Sequence, residues 1–118
     1  MATLTATIKL ISADVTSDAL SLSEGPALTV GSPSSLSTKT LTTGGTEIFG
    51  TSQAVRTYVY IKNTHASISV VVKTAGGVTF AILAPGEVNF FTLYPDLGLK
   101  LFSESSTATV EYGYWSKA

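Results

Sequence analysis

Few side chains in this sequence could do chemistry: one histidine, eight carboxylates and no cysteine. Without a thiol, disulfides, thiolate metal sites and cysteine nucleophiles are excluded. His65 lies in the polar stretch Asn63-Thr64-His65-Ala66-Ser67. A catalytic base needs a nucleophile and an orienting group beside it, and no serine lies in a nucleophile-elbow context. His65 therefore reads as a solvated loop residue. The carboxylates are Asp14, Asp18, Glu24, Glu47, Glu87, Asp96, Glu104 and Glu111. Calcium takes roughly 6–8 oxygen ligands, which makes Asp14, Asp18 and Glu24 the candidate set. Their spacing matches no calcium loop, and both aspartates lie close to Ser or Thr in a turn-like stretch, where carboxylates ordinarily bond backbone amides. Glu87, after Pro85-Gly86, reads as a turn and solubility residue. Gly44-Gly45 and Gly76-Gly77 open no helix and precede no Lys-Ser/Thr pair, so they are not phosphate loops. The expectation is a non-enzymatic chain with no catalytic, metal or cofactor site.

Aromatic side chains are the remaining candidates: Tyr58, Tyr60, Tyr94, Tyr112, Tyr114 and Trp115. Exposed rings on a β-scaffold stack on sugars or anchor protein partners. Tyr58 and Tyr60 share one strand face, as do Tyr112 and Tyr114, and such pairs more often pack across strands than form a ligand platform. Core packing is the first reading and partner anchoring the second. A carbohydrate platform built on Tyr58, Tyr60 or Trp115 is the third. The residues carried forward as interface candidates are Tyr58, Tyr60, Phe91, Leu93, Tyr114 and Trp115.

The elements that must position these residues are strands. Charged residues make up 13% of the chain, about half the roughly 25% of an average soluble domain. In their place stand 15 Ser and 18 Thr, which suit strands and turns better than helices. A surface of hydroxyls with few charges is poorly protected against association. The formal net charge is −1, with the seven Lys and Arg scattered singly, so no basic field attracts nucleic acid. No apolar run approaches the roughly 20 residues of a membrane-spanning helix, and the N-terminus lacks the basic start and apolar core of a secretory signal. A soluble chain made in the cytoplasm, contacting neither nucleic acid nor membrane, is expected.

Period-2 alternation recurs along the chain. Residues 3–11 alternate Leu4, Ala6, Ile8 and Leu10 with Thr3, Thr5, Thr7 and Lys9, predicting one half-buried strand. Residues 12–54 are less regular, with short β-like pieces at 19–22, 27–30 and 38–42 among turn-rich stretches. This leaves a looser Ser/Thr/Gly-rich region at 31–54, read either as short strands, the favoured reading, or as an arm that orders on a partner. From Val55 the pattern is strong: strands over 55–62, 68–73, 78–83, 88–94, 97–102 and 107–115. Turns are expected at Ala75-Gly76-Gly77 and Ala84-Pro85-Gly86-Glu87. The whole of residues 1–118 reads as a single antiparallel β-sandwich or jelly roll of about eight to nine short strands.

Two strands have more than one apolar face. In 88–94, Val88, Phe90 and Tyr94 oppose Phe91 and Leu93; in 78–83, Val78, Phe80 and Ile82 oppose Ala81 and Leu83. A solitary antiparallel sandwich ordinarily keeps one face of each strand polar. A second subunit covering these faces predicts a homo-oligomer, expected as a trimer.

Several stretches resemble small virion structural proteins of tailed bacteriophages. They are Tyr58-Val59-Tyr60-Ile61-Lys62-Asn63-Thr64, Leu83-Ala84-Pro85-Gly86-Glu87 with Asn89-Phe90-Phe91, and Ala108-Thr109-Val110-Glu111-Tyr112-Gly113; the front segment from Asp14 to Ser23 fits the same group. The resemblance implies a β-sandwich on the capsid surface of a virion. Such a decoration or cement protein binds across major capsid subunits, commonly as a trimer, without catalysis. It equally admits a tail, baseplate or fibre component. The region from Gly31 to Ala54 departs from the resemblance.

Overall fold

The computed structural model describes residues 2–13, 20–52 and 54–118. Asp14 and Asp18, two of the three cation candidates, lie outside the described residues. Eleven strands are formed among the described residues: β1 (Ala2–Thr5), β2 (Ile8–Ser12), β3 (Leu20–Glu24), β4 (Ala27–Leu41), β5 (Thr46–Phe49), β6 (Thr57–Asn63), β7 (Val70–Lys73), β8 (Thr79–Leu83), β9 (Val88–Leu93), β10 (Leu99–Ser103) and β11 (Ala108–Lys117). All pairings are antiparallel.

One sheet runs in the order β1-β4-β11-β6-β9 and the other in the order β5-β10-β7-β8. The eight strands from β4 to β11 thus divide four and four, with the chain crossing between sheets at every connection except the β7–β8 hairpin. That winding is a jelly roll. Residues before Ala27 are an addition to it: β1 extends the first sheet alongside β4, and β2 pairs with β3 alone as a separate two-stranded ribbon.

Leu41, Val59, Ile61, Val70, Val72, Leu99, Leu101 and Val110 lie between the two main sheets, fully buried. They are inward members of alternating strands, and each contributes about 1.5–3 kcal/mol by leaving water. Tyr112 and Tyr114 pack on the same core, and the Tyr114 ring meets Phe49 at 4.9 Å between centroids.

Three local departures from the sequence expectation have physical causes. Residues 3–11 are not one strand: they split at Ala6-Thr7, and β1 and β2 belong to different sheets. Alternation cannot register such a break, because the pattern of apolar residues runs straight through it. The region 31–54 is in part a continuation of β4, which runs 15 residues. Its register on β11 slips between Trp115 and Ser116, so that Ser32 and Pro33 fall in a bulge. A proline tolerates that place because it has no amide to give to the ladder. Finally, eleven strands replace the expected eight or nine, the additions coming from the split N-terminus and from β5.

The Pro85-Gly86 turn forms as expected: the Glu87 amide donates to the Ala84 carbonyl at 3.0 Å. Gly86 has φ of 83°, the left-handed value that the third residue of a type II turn requires. This turn joins β8 of one sheet to β9 of the other, so it forms an arch at the sandwich edge and not a hairpin within a sheet.

Candidate assembly surfaces

The outward face of the five-stranded sheet carries Tyr58 and Tyr60 from β6, Phe90 from β9 and Trp115 from β11, side by side through the register Tyr60–Phe90 and Trp115–Tyr58. Tyr58 and Phe90 stack at 6.4 Å with their planes 12° apart, the diagonal contact expected two residues along an antiparallel pair. Gly113 lies directly beneath Trp115: a Cβ there would fall 2.6 Å from the end of the indole ring. The absent side chain therefore lets the ring lie back along its own strand.

The N-terminal segment passes over this face. Leu4, Ala6, Ile8 and Leu10 line one wall of a groove of about 660 Å³ whose other wall includes Tyr60, Phe90 and Trp115. Beside the groove, the Tyr60 hydroxyl donates to Glu111 Oε1 at 2.7 Å. That bond to a carboxylate, with lesser help from desolvation and from the charge itself, pushes the Tyr60 phenol up to about 12. The pair is a hydrogen-bonded tether on the sheet surface.

A second groove, of about 510 Å³, opens where β8 and β9 end their respective sheets, lined by Phe80, Ala81, Phe91, Leu93, Tyr94 and Leu97 among others. The β8–β7 register places Ala81 opposite Val72 but Thr79 opposite Lys73, which leaves Phe80 as an extra residue. Such a bulge re-aims a side chain, and Phe80 turns across the open edge to meet Phe91 edge-to-face at 5.5 Å. Of the lining residues Phe80, Tyr94 and Leu97 are exposed, from 40% for Leu97 to 75% for Tyr94. Val78 and Ile82, at and beside β8 outside the groove, and Val88, which lines the first groove, are exposed as well.

The ribbon of β2 and β3 is the third apolar surface. Leu10 faces Leu22 across it, and Ile8, Leu10, Ile11 and Leu22 keep 47–65% of their surface in solvent. A two-stranded ribbon without a third layer is marginally stable in water.

At the opposite extreme is a closed polar knot. Asn63 is fully buried at the end of β6, and its amide donates to the carbonyls of Ile68 at 2.8 Å and Leu83 at 2.9 Å. Its side-chain oxygen accepts from the His65 amide at 3.0 Å. His65 Nδ1 in turn accepts from the amides of Ser67 and Ile68, both at 3.1 Å. The lone histidine is thus a loop organiser and not an idle solvated residue. Among the described residues no group of three or more His, Asp or Glu side chains is placed to hold a metal ion.

Of the residues expected as interface anchors, Tyr58, Leu93 and Tyr114 are consumed by packing within the chain: Tyr58 and Leu93 are buried, and Tyr114 faces the core. For Leu93 and Tyr114 the reason is that alternation assigns a face but cannot say which face meets the second sheet. Tyr58 lies on the outward face and is covered there by neighbours such as Phe90. Tyr60 and Trp115 line the groove beneath the N-terminal segment, and Phe91 lies in the open groove. With Tyr58 buried and Tyr60 and Trp115 walled by that segment, the three rings make no open stacking platform. Sequence reading passed over Ile11, Leu22 and Leu97. The adjacent pair Leu10-Ile11, apolar on both faces of one strand, was the available signal for the ribbon.

No protein-family model matches this chain, and no curated protein matches it. Among solved structures it is similar to a chain of the Bacillus endospore appendages, a family of disulfide-linked pili, with a TM-score of 0.53 and 15% identity, over 76% of this chain and 90% of that chain. At that identity the likeness concerns the all-β fold.

Proposed function

We propose that this chain is a non-enzymatic structural protein that acts by assembly. In its finer form the reading is a virion protein on the capsid surface of a tailed bacteriophage, a self-associating trimer that binds across major capsid subunits. The observation that carries the proposal is the apolar surface left open on the β2–β3 ribbon and around the β8/β9 edge. It is combined with a charged fraction of only 13%. Contiguous exposed apolar surface marks contact with another macromolecule, and charge is what ordinarily keeps such surfaces apart. Each copy bound across two shell subunits favours the assembled lattice by mass action. The jelly roll suits this role, being common in capsid proteins, though it serves lectins and enzymes as well.

The fold likeness to a pilus chain favours a second reading, a filament, tail or fibre component of the same assembling kind. These 118 residues hold no cysteine, so links between copies through them would not be disulfides. Purified protein is to be mixed with phage shells that lack it. Saturable, stoichiometric binding with greater heat resistance of the shell is expected, and absence of binding rejects the decoration role. Antibody labelling of intact particles separates head from tail.

A further inference from the structure

We propose that the β2–β3 ribbon of one copy seats in the groove between β8 and β9 of a second copy, joining subunits head to tail. This deepens the assembly reading and rests on it. Strands β8 (TFAIL) and β9 (VNFFTL) each end a sheet, so among the described residues each has one backbone edge with no neighbouring strand. Neither contains a charged residue or a proline, two of the devices by which sheets ordinarily protect their ends. Strand β8 does carry the bulge at Phe80, a third such device, so β9 is the edge left without one. An unprotected edge beside an apolar groove is a site for strand addition.

The occupant is indicated by the chain itself. The ribbon lines the first groove through Ile8 and Leu10 yet leaves 47–65% of Ile8, Leu10, Ile11 and Leu22 in solvent. Its strands of five residues each match the five and six residues of β8 and β9. At about 3.3 Å per residue all four elements are roughly 17–20 Å long. Among the described residues β2 and β3 pair with each other and with no further strand. The surface area agrees. The accessible surface is 6714 Å², whereas a compact domain of 12.3 kDa is expected to expose about 6100 Å². The excess, about 600 Å², marks a chain less compact than a solitary domain of its mass, as a ribbon standing off the sandwich requires. The radius of gyration of 15.3 Å likewise exceeds the about 13.5 Å of a compact chain of this length.

A ribbon meeting a groove is a heterologous contact, which closes into a ring or continues as a filament. Closure after three copies gives the trimer proposed above.

The absence of native cysteine makes cross-linking a clean test. Leu22 on the ribbon and Leu97 at the groove are 49% and 40% exposed, so L22C and L97C are expected to fold, which thermal unfolding against the parent checks. Under oxidation, a mixture of the two single variants is expected to give a covalent dimer that neither forms alone, and the double variant L22C/L97C a ladder or closed ring. Dimers from L22C alone would show ribbon on ribbon, and dimers from L97C alone groove on groove; either overturns the proposal. So does a link within one chain of the double variant, or no link at all. Sedimentation of the parent separates the two levels. An oligomeric parent without the mixed cross-link rejects this interface and leaves assembly standing; a monomeric parent that binds no shell rejects both.

Discussion

Replacing Asn63 should be among the most damaging single polar changes in the chain. Asn63 ends β6 in the five-stranded sheet, yet its side-chain amide donates to Ile68, just before β7, and to Leu83, at the end of β8, both in the facing sheet layer. The side chain is therefore a clamp between layers. Its main chain adds to the clamp, donating to Glu87 at 3.0 Å and accepting from Gly86 at 2.9 Å, but those two bonds survive substitution. In Asn63→Ala the Leu83 carbonyl loses its bond in a fully buried setting, at a cost of about 1–3 kcal/mol. The Ile68 carbonyl and His65 amide are partly reachable by water, so each loses about 0.5–1.5 kcal/mol. The expected total is about 2–6 kcal/mol, a large part of a typical domain's 5–15 kcal/mol. Urea unfolding followed by circular dichroism measures it, with Thr64→Ala at the exposed neighbouring position as control. A loss below about 1 kcal/mol, within the ordinary range of a single exposed hydrogen bond, would refute the inter-layer clamp.

Further outcomes follow from single features. Because the folded-state Tyr60 phenol is raised to about 12 from an ordinary value near 10, its contribution is fully present below about pH 10 and is lost as pH rises through about 12. Tyr60→Phe should abolish the phenol that titrates near pH 12 in an absorbance titration and flatten stability over that window; an unchanged titration counts against the Glu111 bond. Gly98→Ala should destabilise far more than Gly86→Ala. Both positions have positive φ, 70° and 83°, costing roughly 1 kcal/mol for a side chain. Only at Gly98 would the new Cβ lie 2.5 Å from Ala75 Cβ and 3.0 Å from the Phe49 carbonyl. Equal melting temperatures for the two variants would contradict the packing at Gly98. His65→Ala removes the acceptor of two amides and should cost about 1–2 kcal/mol, with faster hydrogen exchange confined to Ser67 and Ile68. Unchanged exchange there would dismiss His65 as the loop organiser.

How far the fold could be read ahead varied along the chain for physical reasons. From Val55 onward each strand has one face in the core, so burial imposes a period of two and the sequence displays it. Val59 and Ile61 against Tyr60 and Lys62 are the plainest case. At the N-terminus no second layer encloses the ribbon, and the alternation of Leu4, Ala6, Ile8 and Leu10 runs through the break between two sheets. The length of β4 was hidden by Gly31-Ser32-Pro33, turn-forming residues that fall at a bulge. The site was legible only in part. Excess apolar faces on the strands at 78–83 and 88–94 pointed to uncovered surface, and Val78, Ile82 and Val88 are indeed exposed. Which aromatics remain available is a matter of layer order, which alternation does not encode. Hence Leu93, carried as an interface candidate, and Tyr58 and Tyr114, read first as core packing and second as partner anchors, are packed within the chain. The bulge that swings Phe80 across the edge leaves no mark in residue type.

The central claim, that the open apolar edge and ribbon drive copies together, is tested most directly by sedimentation velocity of the cysteine-free parent and of Ile82→Lys through the micromolar range. The account predicts a defined multiple of 12.3 kDa for the parent and dissociation of the variant without loss of its melting transition. A parent that sediments throughout as one 12.3 kDa particle, indistinguishable from the variant, would contradict it.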